Sequence, residues 1–163
     1  MTSAREVVTL GAALGCGVVA GVFFAFSTFV MSALARLAPA EGIAAMQSIN
    51  RTAISPLFVV ALFGTAIACA GLGVWAILAW GESGTDWTLA AAALYLAGSI
   101  AVTVGANVPR HDALASVASH DVAAASAWDS YVRSWTAWNH VRTVAALAAA
   151  ALLIVALAEG FPH

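Results

Sequence analysis

The chain has 163 residues, of which 63% are hydrophobic and 9% charged, and its mean hydropathy is +0.94. A soluble domain carries about 25% charged residues, so this complement cannot cover the surface of a soluble fold. All six basic residues are arginine and the net charge is −2, which excludes the basic surface of a nucleic-acid binder.

The expected architecture is an all-α integral membrane four-helix bundle, one domain over residues 1–163, with the lipid bilayer as its first partner. Apolar runs place the spans at approximately 7–35, 53–80, 87–107 and 134–158. A hydrocarbon core of about 30 Å needs about 20 helical residues, and backbone polar groups in lipid demand helices. The first run exceeds the roughly 7–15 apolar residues of a secretory signal, so it reads as a span. Between spans one and two, Pro39-Ala40-Glu41 is expected to open a helix reaching Asn50, with proline at an early position. Asp112–Ser119 is expected to form a short interfacial helix. The fourth span is expected to be entered through a long polar and aromatic segment, with Ser119 or Asp121 as the cap of the last helix.

Arginines set the expected orientation. Arg36 and Arg51 follow span one, and Arg110, Arg133 and Arg142 follow span three, against Arg5 alone on the other side. The positive-inside rule then puts both Arg-bearing loops in the cytoplasm and both termini outside, with the cell membrane as the expected location. Trp75, Trp80 and Trp87 at one end, and Trp128, Trp135 and Trp138 at the other, read as interfacial belts. Gly11/Gly15, Gly17/Gly21/Ala25 and Ala97/Ala101/Gly105 are expected to let helices approach closely.

Several chemistries lack their residues. Cys16 and Cys69 lie in separate spans with no C-x-x-C and read as small buried hydrophobes. Spans one to three carry no carboxylate, which weighs against a proton-coupled transporter. His111-Asp112 and His120-Asp121 match no metal-ligand spacing, and no Gly-rich loop would cradle a nucleotide phosphate. No metal and no cofactor are therefore expected.

The informative residues gather at one membrane depth. Gln47, Asn50 and Arg51 open span two; Asn107, Arg110, His111 and Asp112 close span three; Thr136, Asn139, His140, Arg142 and Thr143 begin span four. Polar groups at membrane depth are costly and mark functional sites by default. At about 100° per residue, Trp128, Tyr131, Trp135, Trp138 and Arg142 form one stripe, and Thr136, Asn139, His140 and Thr143 another. The second stripe is expected to face the bundle interior, and the first to face headgroups with Arg142 reaching the interface. Phe23, Phe24, Phe26, Phe29, Met31 and Met46 are candidates to wall a pocket for a flat lipophilic ligand.

The stretches GVFFAFSTFVMSAL, IAAMQSINRTAI, ANVPRHDALA and WTAWNHVRT resemble the anthrone oxygenase-like family of small four-span membrane proteins. The resemblance runs from about Gly11 to Leu157. The family often has proline where Ser32 stands, asparagine where His111 stands and an apolar residue where Arg110 stands, departures that bear on substrate more than on fold. The resemblance implies oxidation of a lipophilic anthrone or phenolic substrate by molecular oxygen without an evident cofactor, as associated with fungal members.

Such chemistry needs a base to form an electron-rich carbanion or phenolate, and donors for the developing oxyanion. His140 is the expected base, with Asn139 and Asn107 orienting the substrate oxygen. Asn50, Arg51, Arg142, Trp138 and Phe26 are the expected substrate-binding residues. The alternative reading is a non-catalytic membrane protein that binds a lipid or a partner helix with the same amide and arginine cluster.

Overall fold

A computed structural model describes residues 3–118 and 123–160. Five helices account for nearly all of them: α1 (Ala4–Leu34), α2 (Pro39–Thr52), α3 (Pro56–Leu78), α4 (Thr85–Ala115) and α5 (Ala124–Glu159). All but α2 are long and apolar enough to cross a membrane. The protein is an all-α integral membrane bundle.

Local chemistry sets the helix starts. Ser3 and Glu6 form a reciprocal capping box at the start of α1. Pro39 and Pro56 take the first turns of α2 and α3, where a missing N–H costs nothing. The hydroxyl of Ser55 accepts from the Phe58 N–H. Gly84, at φ +77°, turns the chain into α4, and a Cβ there would press on the Ala156 carbonyl of α5.

The four long helices form a ring in which α1 packs on α3 and α5, and α4 packs on α3 and α5. Their shared core joins Ala12, Cys16, Val19, Ala20, Cys69, Tyr95, Ala146 and Ala149. Alanine supplies most of the close approach. A Cβ on Gly15 would strike Thr65, and one on Gly98 would strike Ala145. Gly11, Gly17, Gly21 and Gly105 have open space where a Cβ would go, so these four are not the expected packing positions: they lie on outward faces.

The last helix starts ten residues earlier than the expected span. Its 36 residues rise about 54 Å, well beyond a hydrocarbon core of about 30 Å. The extra length carries a second core, outside the membrane bundle, where Met31, Ile43, Met46 and Leu114 enclose Trp128, Tyr131 and Trp135. Gly42 of α2 makes room for the Trp128 ring, which would meet any added Cβ at 2.7 Å. Trp128 and Trp135 are therefore core residues and not members of a belt. Burial against α2 and α4 removes more apolar area from water than a headgroup position would. Ser119, His120 and Asp121 lie outside the described residues, and Ala123 occupies the cap of α5.

The expected short helix over Asp112–Ser119 is instead the end of α4, which runs without a break to Ala115. Pro109 is admitted there because a π turn, Thr103–Asn107, precedes it. Proline lacks the N–H and its ring presses on the preceding turn; a π turn absorbs both. Similar π turns occupy Phe26–Val30 of α1 and Val60–Gly64 of α3. A longer π segment, Leu94–Ala101, lies earlier in α4, and Phe26, Leu62, Phe63 and Thr103 from the other three border the cavities described next.

Candidate functional site

Arg142 is the centre of this region. It projects from α5 into the bundle and is 4% exposed. Its Nη2 donates to Asn139 Oδ1 at 2.6 Å and its Nη1 to Thr103 Oγ1 at 3.2 Å, while its Nε has no partner. The guanidinium lies 4.2 Å from the ring centre of Phe23 and 5.3 Å from that of Trp135. Among the described residues the one ion pair is Arg5–Glu82 at 3.7 Å, at the opposite end of the bundle. Arg142 is thus a buried cation held by neutral groups and aromatic faces. Burying an ion costs several kcal/mol, and among the described residues no carboxylate lies within ion-pair distance to offset it.

Asn139 orients this cation. It is fully buried, and its amide donates to the Phe23 carbonyl at 2.7 Å and to Ser27 Oγ at 2.8 Å. With both donors committed to α1, its oxygen is aimed at Arg142. Thr143 extends the same link, its hydroxyl 3.1 Å from Ser27 Oγ.

His111 of α4 stands beside it. Trp135 Nε1 donates to His111 Nε2 at 2.6 Å, and the two rings stack with centres 6.0 Å apart. Indole N–H is a donor only, so the bonded histidine nitrogen is the acceptor. In the neutral ring the proton then sits on Nδ1, leaving His111 a donor towards a ligand. Trp135 is itself held in a ladder of stacked rings with Tyr131 and Trp128.

Arg142 and His111 share the walls of two adjoining cavities. The larger, about 490 Å³, is bordered by Gln47, Asn50, Arg51, Phe58, Thr103 and Asp112. The smaller, about 80 Å³, is bordered by Phe23, Phe26, Met46, Ile49, Trp135 and Asn139. The larger lies within the roughly 300–1,000 Å³ usual for small-molecule sites. At the far end of the bundle Arg5 and Trp75 border a space of about 20 Å³ and an apolar surface groove of about 400 Å³ between Val8, Ile67 and Leu72. Among the described residues no three of His, Cys, Asp and Glu are grouped to hold a metal.

The expected site residues separate clearly. Asn139, Arg142, Asn50, Arg51 and Phe26 border the cavities. Asn107 is fully buried behind them, its amide reaching the Trp135 carbonyl at 3.4 Å and its oxygen unpartnered. His140 and Trp138 are exposed, and Trp138 lies instead under Arg110, 5.9 Å from ring centre to guanidinium.

The expected facing of the two stripes is thereby corrected. Relative to Trp135, Arg142 is turned by about 20°, Asn139 by about 40° and His140 by about 140°. Asn139 and Arg142 share the buried face with the Trp/Tyr stripe, while His140 is carried to the outside. Arg142 does not reach the interface, because Asn139 and Thr103 hold its two Nη groups within the bundle. His111 and Trp135 were not among the expected site residues. His111 stood in the converging set, but its contact with Trp135 depends on α4 continuing past Pro109.

These features define a four-span helical membrane protein whose cavity ends on a buried, unpaired cation. A family model described as anthrone oxygenase matches residues 55–152. The chain belongs to the anthrone oxygenase family and is, at that level, an oxygenase-like membrane protein. Searches of curated proteins and of solved structures gave no match.

Proposed function

We propose that the protein oxidises a lipophilic anthrone- or phenol-type substrate with molecular oxygen, without a cofactor. The observation that carries this reading is Arg142: a guanidinium buried at the wall of a cavity of about 490 Å³, with no carboxylate among the described residues in ion-pair contact with it. A cation in such a setting favours a ligand that becomes an anion. The substrate oxygen takes its place beside Arg142, and the ionised enol or phenolate is stabilised more strongly there than in water.

His111, whose Nε2 is occupied by Trp135, serves as a second donor to that oxygen and not as the base. Asp112, a carboxylate bordering the cavity, accepts the proton. The electron-rich carbon then adds oxygen to give a hydroperoxide, and loss of water leaves a carbonyl. One oxygen molecule is consumed for each CH₂ group converted to C=O, and the second oxygen atom leaves as water.

For orientation, Arg142 is buried and does not count as a topology signal. Arg36, Arg51, Arg110 and Arg133 still outnumber Arg5, which supports the cytoplasmic placement of their end and a cell-membrane location.

The test is oxygen consumption by the purified protein in detergent with anthrone, against a protein-free control for autoxidation. His111→Ala should lower kcat/KM by about tenfold to a hundredfold, while His140→Ala should leave it unchanged. Loss of turnover in His140→Ala with His111→Ala unaffected would refute these roles. Uptake no faster than the protein-free control would refute anthrone oxidation itself.

A further inference from the structure

The cavity has an open side, between α3 and α4. Helices α3 and α4 are tied where Tyr95 Oη donates to the Leu62 carbonyl at 3.0 Å. From there to the far end they pack together, with Gly73 against Ala92. Towards the arginine-rich end the first turns of α3 no longer pack on the last turns of α4; π turns lie at Val60–Gly64 in α3 and at Leu94–Ala101 and Thr103–Asn107 in α4. The cavity lies in this fork. Its rim is Ile54, Phe63 and Val108, apolar side chains that are 75%, 44% and 39% exposed.

Depth decides what the rim meets. Phe63 stands 15 residues before the end of α3 at Leu78, about 22 Å along the helix. Arg142 stands 17 residues before the end of α5 at Glu159, about 26 Å. Measured from the far surface, both fall inside a hydrocarbon core of about 30 Å, while Val108, 23 residues into α4 from Thr85, stands at about 35 Å, and Ile54 just before α3, so the rim runs from the core to its interfacial edge. On the water side α2 crosses the cavity, fastened by Gln47 Nε2, which donates to the Leu114 and Val117 carbonyls at 2.9 and 3.2 Å. Arg51 and Asp112 leave only a polar corner there.

We propose that the cavity is loaded sideways from the bilayer, through the fork between α3 and α4, by an acidic phenol dissolved in the lipid. The apolar rim admits the ring system, and the unpaired guanidinium at the inner wall selects a ligand with an ionisable oxygen. This route rests on the proposed function for its ligand class, but it makes a separate kinetic claim. A portal residue changes how fast a ligand enters and leaves without changing how tightly it is held.

The probe is a monohydroxyanthraquinone, whose absorbance reports ionisation, mixed by stopped flow with the full chain in phosphatidylcholine vesicles. Val108→Trp should slow association and dissociation alike, by about tenfold for a barrier raised by about 1.4 kcal/mol, with Kd essentially unchanged. Phe63→Ala should speed both. Val144→Trp, at an exposed position of α5 away from the fork, should alter neither.

Unchanged rates in both rim variants would overturn the route, as would a changed Kd with unchanged association. A bound phospholipid that the probe fails to displace would also overturn it. If Arg142→Met binds the probe as tightly as the parent protein, the oxyanion site is wrong while the rim variants still judge the route. No binding by the parent protein would overturn both.

Discussion

Arg142→Met is expected to lower kcat/KM by about 10²–10³-fold, the loss typical of removing an oxyanion-stabilising donor, while shifting Tm only slightly. The two halves of this expectation have separate origins. Activity falls because the guanidinium is the unpaired cation at the cavity wall. Stability is nearly preserved because replacing a buried ion by an apolar side chain of similar length relieves its desolvation cost. The opposing loss is the bond to Asn139 Oδ1 at 2.6 Å, worth about 1–3 kcal/mol when a buried acceptor is orphaned. Thr103 is not orphaned, since its hydroxyl still donates to the Ser99 carbonyl at 2.7 Å. Oxygen consumption and thermal unfolding of one detergent preparation check both halves. A large fall in Tm together with the loss of turnover would make Arg142 a structural residue.

Trp135→Ala is expected to cost about 3–5 kcal/mol of stability, the usual range for truncating a buried tryptophan. Trp135 is 4% exposed. It lies between Tyr131 and Phe26, at 6.3 and 5.7 Å between ring centres, and also forms one wall around Arg142. Its removal opens the second core and frees His111 Nε2. Trp135→Phe keeps most of the packing and loses only the indole donor, so it should be far less destabilising. Yet it should still reduce turnover, because His111 is no longer held in one tautomer. Chemical denaturation in detergent separates the two variants, and equal destabilisation by both would show that packing contributes little at this position.

The spans were legible because the bilayer imposes a length and a composition on each helix, and both can be read from the charge-free runs. Asn139 was legible too, as a polar residue at membrane depth with few ways to be satisfied. The facing of α5 was not. Which side of a helix is buried depends on what packs against it, and the partner here is α2 together with the end of α4, brought in from distant sequence. Those elements make a core outside the bilayer for Trp128, Tyr131 and Trp135, residues that would suit an interface belt had nothing covered them. His140 sat one residue from Asn139 in a promising motif, but one residue is about 100° of helix, enough to carry it outside. His111 was obscured by Pro109, which reads as a helix boundary unless a π turn absorbs it, and π turns leave no periodic pattern in a sequence.

In the proposed reaction Arg142 holds the ionised oxygen of a bound lipophilic ligand. The most direct test of this is the absorption spectrum of a monohydroxyanthraquinone bound to the purified protein at neutral pH, compared with the Arg142→Met variant. The parent protein should show the red-shifted spectrum of the ionised phenol, and the variant the neutral spectrum or no binding. A neutral spectrum in the parent protein, or the same ionised spectrum in both, would contradict it.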